Sequence, residues 1–209
     1  MTPSLQVRFS SVQSKGKTAA LSAAVFVLTL ACAPVFAGVE EGRAKAAVCG
    51  ACHGVDGNSL LPNIPSLAGQ PQQFIVTALY MFREGKRVNE QMSPFAEKLS
   101  NADLKDLAQY FAAQKLAAPT TQAAAGTVEK AAAITQANNC VACHTPSLVG
   151  QQHIPRLAGQ QQAYLLDQLQ KFKAGTRPEF DGTMTSAAQA LQTADLPLLA
   201  EYLATLLVP

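Results

Sequence analysis

Residues 138–146 read NNCVACHTP, and residues 46–55 read AAVCGACHGV. The arrangement C-x-x-C-H thus occurs at Cys49, Cys52 and His53 and again, 91 residues on, at Cys140, Cys143 and His144. The neighbouring segments repeat with it. IPSLAGQPQQF from Ile64 returns as IPRLAGQQQAY from Ile154, FREGKR from Phe82 as FKAGTR from Phe172, and DLKDLAQYFAAQ from Asp103 as DLPLLAEYLATL from Asp195. The offset is 91 at the cysteines, 90 through the middle and 92 at the end, which one small deletion and one small insertion explain. A unit written twice at this period means two like domains. Between them LAAPTTQAAAGT (Leu116–Thr127) has the composition of a linker. The expected boundaries are 38–118 for the first domain, 119–127 for the linker and 128–209 for the second.

The first 37 residues differ from the rest. Arg8, Lys15 and Lys17 are the only charges before Glu40, and an apolar run ending in small residues (VFA) follows them. That is the pattern of a secretory signal cleaved after Ala37. An uncleaved membrane anchor and lipidation at Cys32 are the alternatives. In each case the basic flank stays inside and the remainder is exported, to the periplasm. The signal carries three of the sixteen basic residues and none of the fourteen acidic ones, leaving thirteen against fourteen, a net charge of −1. A near-neutral chain without basic clusters offers no electrostatic footprint for nucleic acid. With Cys32 assigned to the signal, four cysteines remain, and both motifs are filled by them.

Each unit has one coarse plan. A short helix leads into the cysteines, a Gly- and Pro-containing loop follows, and a helix spans about Pro71–Arg83 or Gln160–Lys173. In the latter Tyr164, Leu165, Leu169 and Phe172 recur at helical spacing. A polar loop carrying a methionine comes next. A closing helix ends the unit, with Ser100 and Thr193 as its expected caps and Asp103 and Asp195 in its first turn. No alternating strand pattern appears, so the fold class is all-α. Some eighty Ala-rich residues make a small core, which gains from a large apolar cofactor held inside it.

The paired motif supplies the means. On a helical turn, residues i and i+3 share a face and i+4 lies beside them. Two thiols so placed form thioethers to the two vinyl groups of one haem, while the next histidine reaches the iron: covalent c-type attachment. A four-cysteine zinc site needs its pairs roughly 15–20 residues apart, and here 87 residues intervene. A thioredoxin-like pair or structural disulfides give no reason for a histidine after each motif.

The second axial position calls for another ligand. His153, the third histidine, aligns with Asn63 and so serves no role common to both units; it reads as a surface residue. Met81 aligns with Lys171 and reads as packing. Met92 and Met184 correspond, 39 and 40 residues after their histidines. A thioether is a soft ligand that favours ferrous iron, so His/Met ligation raises the potential. Pro65 and Pro155 offer carbonyls to orient the histidines. Arg87 and Arg177, with Arg83 and Lys173, are candidates for pairing with haem propionates.

VCGACHGVDGNS, PNIPSLAGQ, FREGKR, a methionine segment and then a second such unit resemble the di-haem cytochrome c4 family, from about Gly38 to Pro209. The resemblance implies two tandem class I cytochrome c domains, each a small helical domain around a covalent haem c, with the haems close together. It implies a periplasmic, often membrane-associated, one-electron carrier rather than an enzyme, placed between an upstream quinol-oxidising complex or dehydrogenase and a terminal oxidase. By position Cys49, Cys52, His53 and Met92 match attachment and ligands of the first haem, and Cys140, Cys143, His144 and Met184 those of the second. One departure stands out: CHTPSLVGQQHIP lacks the D-G-N of CHGVDGNS, and the turn beside the second haem is expected to differ. Two rival readings are the cytochrome subunit of a dehydrogenase, such as a flavoprotein oxidising sulfide, and a di-haem peroxidase, which requires an open iron.

Overall fold

The computed structural model describes residues 37–208. The expected export signal, residues 1–37, lies outside them save for its last residue. Among the described residues ten helices form two successions of five. The first holds α1 (Ala37–Ala46), α2 (Gly50–His53), α3 (Gln72–Arg83), α4 (Met92–Ala96) and α5 (Asn101–Ala113). The second holds α6 (Thr127–Ala137), α7 (Cys140–His144), α8 (Gln162–Lys173), α9 (Thr183–Ala190) and α10 (Asp195–Thr205). Among the described residues the one extended pairing is an isolated bridge between Gln151 and Ile154. No described helix is long and apolar enough to cross a membrane. The all-α expectation holds.

In each repeat the closing helix is the hub. α5 packs on α1 and α3, and α10 packs on α6 and α8. The crossing of α1 over α5 is tight because Gly42 lacks a side chain: a Cβ there would stand 2.1 Å from the Asp106 carbonyl oxygen. Ile75, Leu107, Ala108, Tyr110 and Phe111 form the first core. Leu148, Leu165, Ala200 and Leu203 form one cluster of the second repeat, and Leu169, Leu191, Leu196 and Leu199 another. Met81 is 7 % exposed, in keeping with a packing role.

Three local expectations change. Ser100 caps α5 in a full capping box with Asp103, but α10 begins after Ala194 with no side-chain cap, so Thr193 does not serve. The methionines open short helices instead of lying in loops: Met92 is the first residue of α4 and Met184 the second of α9. The turn after the second histidine keeps the backbone path of the first as far as Leu148, then departs from it as expected, with Gly150 (φ 75°) and Gln152 (φ 50°) at positive φ and a bridge between Gln151 and Ile154 that the first repeat lacks. The Gly57 carbonyl accepts from Leu67 N at 2.7 Å and Ala68 N at 3.1 Å, and the Leu148 carbonyl from Leu157 N at 2.8 Å and Ala158 N at 3.0 Å. Thr145 (φ 72°) and Leu148 (φ 57°) hold the left-handed conformations that Gly54 and Gly57 hold in the first repeat. Burial of Leu148, 2 % exposed, offsets the strain.

The repeats meet through a reciprocal clamp. Gln70 Nε2 donates to the Arg156 carbonyl at 3.1 Å, and Arg156 N donates to Gln70 Oε1 at 2.9 Å. Gln160, ninety residues after Gln70, does the same to Ser66: its Nε2 donates to the Ser66 carbonyl at 2.9 Å and Ser66 N donates to its Oε1 at 2.7 Å. Each glutamine thus pairs like a strand residue with the backbone of the other repeat. Arg156, 1 % exposed, lies in this seam and donates to the carbonyls of Ser66, Ala68 and Ala158. Burial pushes its guanidinium down to about 10, so it stays charged at neutral pH.

Candidate haem sites

The C-x-x-C-H motifs form the short helices α2 and α7, closed in the first repeat by His53 N donating to the Cys49 carbonyl at 2.9 Å. All four thiols are free. Cys49 and Cys140 are half-buried, with thiols pushed up by burial, while Cys52 and Cys143 are exposed. The first and last positions of each motif therefore face inward, and the second cysteine stands at the rim.

Both histidines are buried, 6 % exposed each. His53 Nδ1 lies 2.8 Å from the Pro65 carbonyl, and His144 Nδ1 lies 2.8 Å from the Pro155 carbonyl. A carbonyl can only accept, so Nδ1 carries the proton and Nε2 presents its lone pair. Burial pushes both imidazoles below their ordinary range, the carbonyls opposing in part. A neutral ring of fixed tautomer is the form that binds a metal.

Met92 and Met184 are half-buried at the starts of α4 and α9. Met184 packs against Leu169, Leu191, Leu196 and Leu199. His153 is exposed, as a surface histidine should be.

The F-x-x-G-x-R segments prove to be a structural unit. Gly85 and Gly175 turn the chain at positive φ, and the arginine stacks back on the phenyl ring: Arg87 over Phe82 at 4.6 Å, Arg177 over Phe172 at 4.2 Å. Arg87 Nη2 also donates to Gln168 Oε1 across the seam at 2.9 Å. Tyr164 stands between the two arginines; burial raises its phenol, but Arg177 and Arg87 outweigh this and bring it below its ordinary value. Arg177 Nε is buried without a partner, and burial holds the guanidinium down to about 10. A buried cation with an unspent donor calls for an anion such as a haem carboxylate. Arg83 and Lys173 are otherwise engaged: Arg83 Nη1 donates to the Leu99 carbonyl at 3.1 Å and Lys173 Nζ to the Gln189 carbonyl at 3.1 Å. Free thiols and an available Nε2 in each repeat fit a covalently attached haem, and in the second repeat the orphaned Arg177 Nε adds a partner for its carboxylate.

Two small helical domains, each with this motif on a short helix and its histidine held by a proline carbonyl, define a two-domain class I c-type cytochrome. Residues 128–207 match the family model for cytochrome c, and residues 40–111 that for cytochrome c oxidase, cbb3-type, subunit III. Cytochrome c4 of Pseudomonas aeruginosa is 39 % identical over 171 residues, 78 % of this chain and 85 % of that protein. The crystal structure of reduced cytochrome c4 from Pseudomonas stutzeri superposes with a TM-score of 0.75 at 33 % identity, covering 80 % of this chain and 98 % of the other. The thiosulfate dehydrogenase electron acceptor of Thiomonas intermedia is 34 % identical over 171 residues, 77 % of this chain and 79 % of that one. The chain belongs to the cytochrome c4 family. It is an electron-transfer protein with two covalently bound haem c groups.

Sequence reading passed over Gln70, Gln160, Arg156, Asn89 and Glu179. The two glutamines carried a signal, since each closes the repeated L-A-G-Q in an otherwise apolar stretch. Arg156 aligns with Ser66 and carried none.

Proposed function

We propose that the exported chain, with domains at 38–118 and 128–209 joined by 119–127, is a periplasmic one-electron carrier that donates to a terminal oxidase. Cys49 and Cys52 would attach one haem and Cys140 and Cys143 the other; His53 with Met92, and His144 with Met184, would hold the two irons. The observation that supports this most is the repeated 2.8 Å contact from His Nδ1 to a proline carbonyl, which leaves Nε2 for iron in both repeats. When bound, each haem supplies a one-electron couple. The histidines hold a fixed tautomer, the methionines offer soft thioethers that favour the ferrous state, and the apolar clusters exclude water. A histidine and a methionine on each iron would leave peroxide no site, which argues against the peroxidase reading.

The test is spectroscopic. Met92→Ala and Met184→Ala should each remove about half of the far-red band of methionine-bound ferric haem and lower one of two one-electron waves, while Met81→Ala leaves both intact. A full band in either variant rules that ligand out. A second reading, acceptor for a sulfur-compound dehydrogenase, is favoured by the likeness to the thiosulfate dehydrogenase electron acceptor. Reduction kinetics with such a dehydrogenase, set against oxidation kinetics with a terminal oxidase, separate the two.

A further inference from the structure

Asn89 and Glu179 occupy equivalent places, ninety residues apart, just ahead of the two methionines. In the first repeat four residues separate Arg87 from Met92; in the second six separate Arg177 from Met184. Asn89 Oδ1 accepts from Gln91 N at 3.1 Å and from Met92 N at 2.8 Å. Across the longer gap of the second repeat a short amide no longer reaches. Glu179 spans it, with Oε2 accepting from Met184 N at 2.9 Å and Oε1 from Thr185 N. Asp181 Oδ1 takes Thr183 N at 3.0 Å, so the first three N–H groups of α9 all end on carboxylates. Both clamps hold the backbone of the methionine, but one is an exposed amide and the other a half-buried carboxylate.

We infer that Glu179 is the positioning residue for Met184 and that its carboxylate lowers the reduction potential of the second haem. The inference rests on Met184 being an iron ligand. Two bonds to consecutive N–H groups fix the first turn of α9, and with it the place of the thioether. A negative charge beside the ligand stabilises the more positive ferric iron. Arg177, which feels the Glu179 charge, has its counterpart in Arg87; of the two carboxylates at the start of α9, Glu179 is the one bonded to the backbone of Met184 itself, where the first repeat has the neutral Asn89.

The experiment uses the holoprotein and compares Glu179→Gln, Glu179→Ala and Met184→Ala by redox titration, far-red absorption and imidazole binding to the ferric form. Glu179→Gln should keep the whole far-red band yet shift one wave upward, about three- to tenfold in its one-electron equilibrium, the tenfold limit being about 59 mV. The shifted wave should be the one that collapses in Met184→Ala. Glu179→Ala should shift the same wave and also let imidazole displace the ligand faster at that haem. Unmoved waves in Glu179→Gln, or a shift in the other wave, overturn the electrostatic role; unchanged imidazole binding in Glu179→Ala overturns the positioning role. An undiminished band in Met184→Ala overturns the ligand assignment itself, and the inference with it.

Discussion

Thr145 shows how much one side chain can cost a turn. Its φ of 72° and ψ of 159° fall in a region occupied almost solely by glycine, with a strain of about 1–3 kcal/mol. Gly54 holds the same place in the first repeat without that cost. Thr145→Gly should therefore stabilise the holoprotein by about 1 kcal/mol, the relief exceeding the extra flexibility of the unfolded chain. Leu148→Gly should do the reverse. Although Leu148 is also left-handed, it is 2 % exposed in the core, and its loss should cost about 2–4 kcal/mol. Denaturant unfolding of the pair measures both; a destabilised Thr145→Gly would show that the turn carries no relievable strain.

At the scale of elements, the closing helices α5 and α10 share a role and differ at their starts. α5 has a capping box, Ser100 Oγ taking Asp103 N at 3.2 Å and Asp103 Oδ2 taking Ser100 N at 2.8 Å. Lys45 of α1 joins it with Nζ 2.7 Å from Asp103 Oδ1, tying the N-terminal helix to the hub. Ser100→Ala should cost about 1 kcal/mol, read by thermal melting. The bond from Lys45, then those from Ser100, hold the Asp103 carboxyl well below its ordinary range. A carboxyl depressed in the folded state contributes stability that is present above its unfolded value, about 3.9, and is lost as pH falls through its native one. Asp103→Asn should thus be less stable at neutral pH yet show a shallower acid limb. The pair is half-buried at the surface, within reach of solvent, so added salt should shrink the difference. α10 has no such cap, and Thr193→Ala should leave its stability unchanged within about 0.5 kcal/mol.

The whole molecule is held together by symmetry of chemistry in a chain whose repeats have diverged. Gln70 and Gln160 each satisfy an N–H and a carbonyl of the other repeat; without them the Ser66 and Arg156 N–H groups and the Arg156 carbonyl would be buried unpaired at about 1–3 kcal/mol each, while the Ser66 carbonyl would keep its bond from Arg156. Gln70→Ala with Gln160→Ala should lower the melting temperature and split a single calorimetric transition into two, one per repeat. An unsplit, unshifted transition would mean that apolar contact and Arg156 suffice. The clamp holds the two haem-binding repeats in one fixed relation.

Much of this was legible in the sequence for physical reasons. The doubled C-x-x-C-H, the aligned methionines and the offsets of 91, 90 and 92 depend on local spacing along one chain, and spacing is what a sequence records. So are the Ser100 cap and the proline carbonyls, which act within a few turns of their partners. The missing D-G-N motif predicted a different second turn; the chain does differ from Gly150 on, yet Thr145 and Leu148 keep the glycine path because packing around a buried leucine outweighs local preference. Glu179, Arg156 and the two glutamines take their meaning from backbone groups that only folding brings near. Composition and periodicity thus determined the two haem-binding repeats; the tertiary structure alone decided how they lock together and which carboxylate stands beside the second methionine, since those contacts join residues with no fixed relation in sequence.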